Sequence, residues 1–181
     1  RFNAPLWIEN SENMSLDRET LENLEIIKNN GDRTVEKTLL QFLDRTQTSM
    51  GGRCLKLWLV RPLTNPTKIK ERHDAVDFLV QEPDVRGSMR ETLKGALDLE
   101  RILMRIFSGQ ANPRDVLGLK NSLKKGEAVK KLLDQETDAS NLLKKTLSEF
   151  GDFTALVSKI DREISDEPPI HLEDSGVIKA G

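Results

Sequence analysis

The chain has 181 residues, which is the length of one ordinary domain with a buried core. Charged residues make up 32% of it and aromatic residues only 4%, a composition that favours solvated helices over a β-sandwich. Its 28 Lys and Arg against 30 Asp and Glu give a net charge of −2, which argues against a free-standing nucleic-acid-binding module, because such modules neutralise phosphates with a basic excess.

The N-terminal third predicts a short extended entry followed by interrupted helices. Residues 1–16 have little helical period, and Asp17 fits the N-cap of a first helix. Residues 29–32 (Asn-Asn-Gly-Asp) form a turn cluster. A helical pattern begins at Thr34, is interrupted over residues 46–52, and resumes as an apolar helix that stops before Pro62.

The middle of the chain predicts two helices. Asn65 and Pro66 supply an N-cap and a proline at the first helical position. The apolar stripe of this helix, which Pro83 ends, consists of Ile69, His73, Val76 and Val80. The next apolar face runs without a proline from Met89 to Phe107, which predicts a single helix ended by Gly109.

The C-terminal third predicts a long helix and a last apolar one. Asn112 and Pro113 repeat the helix-start pattern, and Asp115 adds a carboxylate in the first turn, where the helix dipole favours it. The long helix continues through Leu133. A last helix is predicted over residues 143–164, and its apolar row should be only partly covered within the chain.

The predicted fold class is therefore all-α, a bundle or lever of five or six helices. We expect an extended entry over residues 1–16, a helical core over 17–167 and a lead-out segment over 168–181. The start Arg1-Phe2-Asn3 has neither an initiator Met nor a signal-peptide pattern, which favours a segment of a larger, cytoplasmic protein. No apolar stretch approaches the ~20 residues that cross a bilayer, so we expect no membrane partner.

The sequence contains no recognisable catalytic or cofactor motif. No stretch fits the P-loop spacing, and His73 and His171, the two histidines, lie too far apart for a helical zinc site. Cys54 is the single cysteine and excludes an internal disulfide. We therefore expect no catalytic residue, no metal site and no bound cofactor in this chain, and no enzymatic activity of its own.

Asp98 and Glu100 are the one pair of carboxylates that acid–base chemistry would suggest. Arg101 and Arg105 stand beside them, so an ion-pair network is the favoured interpretation. Glu100 also falls on an apolar helix face. It is either half-buried, with Arg53 or Arg114 as its partner, or a solvated charge at the edge of that face.

Two further features precede Pro62. Gly51 and Gly52 either let the backbone bend or approach closely between two helices, or they form an ordinary loop turn. Trp58 lies in an apolar run and is predicted to be a core anchor, with a contact to a partner as the alternative.

Five groups of residues follow one another in order at sensible spacing: Leu16-Asp17, Thr20 and Asn23-Leu24-Glu25-Ile26; Leu39-Leu40, Leu43-Asp44, Thr46, Thr48, Met50-Gly51, Arg53, Leu55, Trp58-Leu59 and Pro62-Leu63; Ile69, Arg72 and Ala75-Val76; Asp98-Leu99-Glu100-Arg101, Leu103, Arg105 and Pro113-Arg114-Asp115; Pro168-Pro169 and Asp174-Ser175-Gly176-Val177-Ile178. Together they resemble the core domain of the bacterial MutS family. Ser175 stands where a second Gly is usual, and Cys54 where Leu or Met is common.

The resemblance implies the first part of a discontinuous helical core domain, followed by a lead into a DNA clamp. It implies a homodimeric DNA mismatch repair protein that binds mismatched duplex DNA, uses ATP and Mg, and recruits a factor of the MutL type. In that family a Phe-x-Glu wedge reads the mismatch and a P-loop binds nucleotide, and neither motif occurs in this sequence.

The resemblance therefore implies a structural and allosteric segment that couples the ATPase to the clamp. The residues we consider candidates for that role are Gly51, Arg53, Trp58, Asp98, Glu100, Arg101, Arg114 and Asp115. The alternatives are a free-standing helical protein–protein adaptor, which the open ends of the chain disfavour, and a DNA-binding module, which the charge balance disfavours.

Overall fold

The computed structural model describes residues 12–170 and 175–179. Within these ranges the chain forms nine helices and two isolated bridges but no strand, which confirms the all-α fold class. The helices are α1 (Arg18–Asn23), α2 (Leu39–Leu43), α3 (Ser49–Val60), α4 (Pro66–Gln81), α5 (Pro83–Leu93), α6 (Leu99–Phe107), α7 (Pro113–Leu133), α8 (Asn141–Glu149) and α9 (Thr154–Glu163). None of these helices is both long and apolar enough to cross a membrane.

The chain divides into two compact units. The first comprises Arg1–Arg45 and Gly52–His73, and the second comprises Thr46–Gly51 and Asp74–Gly181. The entry predicted for residues 1–16 lies mostly outside the described residues. Its described part pairs with the chain after α3, where Met14 N–H donates to the Pro62 carbonyl at 2.8 Å.

In the first unit the helix starts predicted at Asp17 and Asn65 are confirmed. The Asp17 carboxylate accepts from Thr20 N–H and caps α1, and the Asn65 side chain accepts from Thr67 N–H at 2.9 Å at the start of α4. The predicted turn at residues 29–32 is also confirmed. The Asn29 side chain organises it by accepting from the backbone N–H groups of Gly31 and Asp32.

The second unit is built around α7, which packs against α5, α6 and α9. One buried cluster includes Phe78, Val85 and Leu133, and the other joins Ile102 and Val157 to the leucines of α7. The long helix predicted to begin at Pro113 is therefore confirmed, and it is the element that both clusters share.

The single helix predicted from Met89 to Phe107 is wrong, because the chain breaks between α5 and α6. Gly95 has φ +73°, a left-handed conformation that glycine adopts without steric cost. The Asp98 side chain then accepts from Arg101 N–H at 3.2 Å and starts α6 as a new helix.

The single helix predicted over residues 143–164 is also wrong. Phe150 leaves the helical conformation at the end of α8, and the Asp152 side chain accepts from Thr154 N–H at 2.8 Å at the start of α9. In both cases the hydrophobic periodicity predicted one continuous helix, because the apolar residues on the two sides of the break keep a helix-like spacing.

Three smaller boundary or burial predictions also need correction. The helix predicted from Thr34 begins only at Leu39, because Thr38 is its N-cap. The interruption predicted over residues 46–52 is shorter, because α3 begins at Ser49 and contains both glycines. The apolar stripe predicted for α4 does not coincide with the buried face of this helix. Val76 and Val80 are 60% and 58% exposed, whereas Ala75 and Phe78 are buried.

Candidate coupling site around helix α7

The N-terminus of α7 is fixed by a closed polar network. The Asn112 side chain accepts from Asp115 N–H at 2.9 Å, and the Asp115 carboxylate accepts from Asn112 N–H at 3.0 Å. The other Asp115 oxygen accepts from the Arg105 guanidinium of α6. Asp115 is only 8% exposed, so these bonds replace the water that its charge would otherwise need. The carboxylate predicted for this first turn is confirmed, and it joins α6 to α7.

A row of small residues lets the two neighbouring helix breaks approach α7 closely. Gly118, Ser122 and Gly126 are four residues apart and form one ridge of the helix. A Cβ atom at Gly118 would lie 2.5 Å from Leu97 Cδ1, and one at Gly126 would lie 2.7 Å from Phe150 Cζ. Leu97 from one break and Phe150 from the other therefore pack against this ridge.

Polar side chains of α7 satisfy the backbone at the same two breaks. Ser122 Oγ accepts from Leu97 N–H at 2.8 Å, and Lys125 Nζ donates to the carbonyls of Thr92 and Lys94 at 3.0 and 2.8 Å. Lys130 Nζ donates to the Phe150 carbonyl at 3.2 Å. The breaks are thus specified by α7 as well as by their own residues.

A second ion cluster joins α7 to α9. Lys120 Nζ lies 2.7 Å from Asp161 Oδ1, and Lys124 Nζ lies 2.5 Å from Asp161 Oδ2. The Lys120 side chain is 8% exposed, so its ammonium depends on this carboxylate. Hydrogen bonds from Lys120 and Lys124 lower the pKa of Asp161 to about 2.

The segment after α9 contacts both α9 and the start of α7. Ile164 and Ile178 form an antiparallel bridge, in which Ser165 N–H donates to the Val177 carbonyl at 2.9 Å. Lys179 Nζ donates to the Asp161 carbonyl at 2.9 Å. Ahead of the bridge, Arg114 Nε donates to the Pro168 carbonyl at 3.3 Å. The described residues after α9 are therefore attached to α7 and α9.

The structure pairs the acidic and basic side chains differently from the prediction. Asp98 pairs with Arg101 at 3.5 Å, as expected, but Arg105 reaches Asp115 instead of the 98–101 group. Glu100 is exposed and not half-buried. Its pairing with Arg53 or Arg114 stays a prediction.

Gly51 lies inside α3, which excludes the loop turn, and a bend there stays a prediction. A Cβ atom at Gly51 would lie 3.1 Å from Thr48 Oγ1 and 3.3 Å from Thr46 Cβ, so the close approach is to the residues just before α3 and not between two helices. Arg53 is half-buried on the same helix.

The prediction that Trp58 is a core anchor is wrong. Its side chain is 44% exposed, and the Arg72 guanidinium of α4 covers one face of the ring at 3.8 Å from the centroid. The indole and the guanidinium form a cation–π pair at the surface of the first unit.

The sequence interpretation missed Gly118, Ser122, Gly126, Lys120 and Asp161. The small-residue spacing within one helix was a usable signal, because such a ridge indicates close helix packing. Nothing in the sequence indicated which of the lysines on α7 would be buried, since that depends on a carboxylate 41 residues away.

The second unit also exposes an apolar surface between α6 and α9. A groove of about 560 Å³ is lined by Leu103, Ile106, Leu156 and neighbouring residues. Met104 and Phe107, on the same helix, are 68% and 83% exposed. In the described part of the chain, no group of three His, Cys, Asp or Glu side chains is arranged to hold a metal ion.

The comparisons with known proteins agree on one family. Residues 19–180 match the family described as MutS domain III. The DNA mismatch repair protein MutS of Methanosarcina barkeri is 41% identical over 95% of the chain, and that of Solibacter usitatus is 40% identical over 99%. The chain covers 19% and 21% of these two relatives, so it spans about a fifth of their length. The chain belongs to the MutS domain III family.

Proposed function

We propose that this chain is the core segment through which the ATPase and the DNA clamp of a MutS-type mismatch repair protein influence each other. The observation that carries the proposal is the position of α7. This one helix of 21 residues fixes α5, α6, α9 and the start of the lead-out through buried contacts and ion pairs. A stiff helix that holds its neighbours in this way transmits a rigid-body displacement from one end to the other.

The chemistry of repair would then lie in other parts of such a protein. Nucleotide binding with Mg, mismatch recognition, pairing of two subunits and contact with a MutL-type factor are assigned to the whole protein and not to this segment. The sequence supports that division, because it contains neither a P-loop nor a Phe-x-Glu motif.

We further propose that the apolar groove between α6 and α9 receives helices of the same protein that follow the clamp. A discontinuous core domain would leave such a surface on its first part. The competing function is a helical adaptor, in which the groove would receive a separate protein. The two functions are distinguished by adding the remaining core helices as a separate polypeptide, because binding at the groove is expected only for the discontinuous domain.

The coupling role is tested in a chimaera in which this chain replaces the matching segment of Solibacter usitatus MutS. Ala128, an exposed residue inside α7, is changed to Pro, and Ala128→Ser is the matched control. Proline removes a backbone hydrogen bond and breaks the helix. We expect DNA binding and basal ATP hydrolysis to persist in Ala128→Pro, while stimulation of hydrolysis by mismatched DNA falls by roughly tenfold, a coupling loss within the usual range.

Equal stimulation in both variants would contradict the proposal, as would an unaltered chimaera in which ATP hydrolysis does not respond to DNA. If Ala128→Pro does not fold, Gly126→Ala provides the second variant. It disturbs the contact of α7 with Phe150.

A further inference from the structure

Asp161 is the point at which three positively charged side chains from two separate parts of the second unit meet. Its carboxylate binds Lys120 and Lys124 of α7, and its backbone carbonyl accepts from Lys179 Nζ at 2.9 Å. Lys179 also lies 3.0 Å from Asp166. One residue of α9 therefore contacts both the central helix and the last described segment.

The contacts differ in how far water can replace them. Lys120 is almost fully buried, at 8% exposure of its side chain, whereas the Lys124 side chain is 46% exposed. Water cannot replace the carboxylate as the partner of a buried ammonium, so the Lys120–Asp161 pair holds α9 in one position against α7. The exposed pair adds little of its own.

The position of α9 in turn determines the geometry of the bridge that follows it. The bridge begins at Ile164, one residue beyond the end of α9, and its two backbone bonds run from Ser165 N–H to Val177 and from Lys179 N–H to Glu163. A two-bond bridge is marginal by itself. It depends on α9 and on the Lys179 ammonium for its register.

We infer that Asp161 is a positioning residue that couples α7 to residues 177–179, so that a change at Lys120 alters the freedom of a segment it does not touch. This coupling deepens the proposed function, on which its biological meaning rests, because it names the contact that would carry a displacement from the core toward the lead-out. The coupling is nevertheless a property of this chain and is measured without repair activity.

The test is hydrogen exchange of the Ser165 and Lys179 amides in the 181-residue chain. In Lys120→Met an unbranched apolar side chain of similar length replaces the buried ammonium, so the helix and its packing are kept. We expect exchange of both amides to accelerate at least about fivefold, the lower end of usual coupling between sites. Lys120→Arg, which restores a positive charge, should recover part of the protection.

Lys125→Met is the matched control. It removes the same kind of group from the same helix, but Lys125 donates to the carbonyls of Thr92 and Lys94, away from the bridge. Exchange at Ser165 and Lys179 should stay within about twofold of the unaltered chain, below the usual range of coupling. Denaturant titration of each variant separates this local effect from a general loss of stability.

The reciprocal experiment uses Lys179→Met and follows the amides of α7 around Lys120, because coupling between two positions acts in both directions. Similar acceleration in Lys120→Met and Lys125→Met, or none in either, would overturn the inference. Such a result would leave the proposed function standing, since that is decided by ATP hydrolysis in the chimaera. Loss of the proposed function would likewise leave the exchange result unchanged.

Discussion

Ile102 and Met104 lie two residues apart on α6 and have opposite surroundings. Ile102 is 1% exposed and belongs to the buried cluster with Leu119, Leu123 and Val157, whereas Met104 is 68% exposed. We predict that Ile102→Ala costs about 3 kcal/mol of unfolding free energy, because it opens a cavity against α7. Met104→Ala should cost less than ~0.5 kcal/mol. Urea denaturation of the two variants provides the comparison, and equal losses would mean that α6 presents a different face to the core.

Which apolar side chains are buried was the least predictable property at the residue scale. Trp58 and Leu103 belong to apolar runs, yet they are 44% and 40% exposed. Apolar residues occupy most of the circumference of α3, so periodicity does not select a face of that helix. On α6 the apolar face is clear, but Leu103 lines the open groove and is therefore partly exposed. Asp17, Asn65, Asn112 and Asp115 were predicted correctly because capping is a local interaction between residues close in sequence.

At the scale of elements, the glycines of α7 make a quantitative prediction. A methyl group at Gly126 would meet the Phe150 ring at 2.7 and 2.9 Å, and a ring cannot deform. At Gly118 the nearest atom is the end of the flexible Leu97 side chain, which is 48% exposed. We therefore predict that Gly126→Ala costs about 1–3 kcal/mol and Gly118→Ala less.

Gly87 of α5 is the control for this prediction, because an added Cβ atom would meet nothing within 4 Å. Alanine is the better helix former, so Gly87→Ala should stabilise the chain by about 0.5–1 kcal/mol. Thermal and urea denaturation of the three variants measure the order of their unfolding free energies. Stabilisation by Gly126→Ala as large as that by Gly87→Ala would mean that Phe150 does not pack on α7.

Helix starts and helix breaks differ in what fixes them. The starts of α1, α4 and α7 follow from residues within one turn, and the sequence predicted them. The break between α5 and α6 is stabilised by Ser122 and Lys125, which are 25 to 33 residues away from the groups they bind. Such long-range contacts are not visible in local periodicity, and the local signals of this break were Gly95 and the N-cap residue Asp98.

At the scale of the whole molecule, the apolar surface of the second unit is concentrated on α6. The sequence placed the uncovered surface on residues 143–164, but Val157 and Ile160 are buried at 8% and 6% exposure. Met104 and Phe107 of α6 are instead exposed, while Leu103 and Ile106 of the same helix line the groove between α6 and α9. The sequence thus predicted that an apolar surface remains, while its position depended on which side of α9 contacts α7.

Because an apolar patch above a few hundred Å² tends to find a partner, we predict that the 181-residue chain associates with itself in solution. Sedimentation velocity over a range of concentrations should reveal dimers or larger species. Replacing Leu103 and Leu156, which line the groove, together by Glu should shift the chain toward the monomer, since two buried carboxylates in the contact would lack partners. Val76→Glu with Val80→Glu is the matched control, because those valines of α4 are exposed as well but do not line the groove. The control pair should associate as the unaltered chain does. A chain that stays monomeric at high concentration would instead mean that α6 and α9 tolerate water without a covering partner, and the proposal that further core helices fill their groove would lose its physical basis.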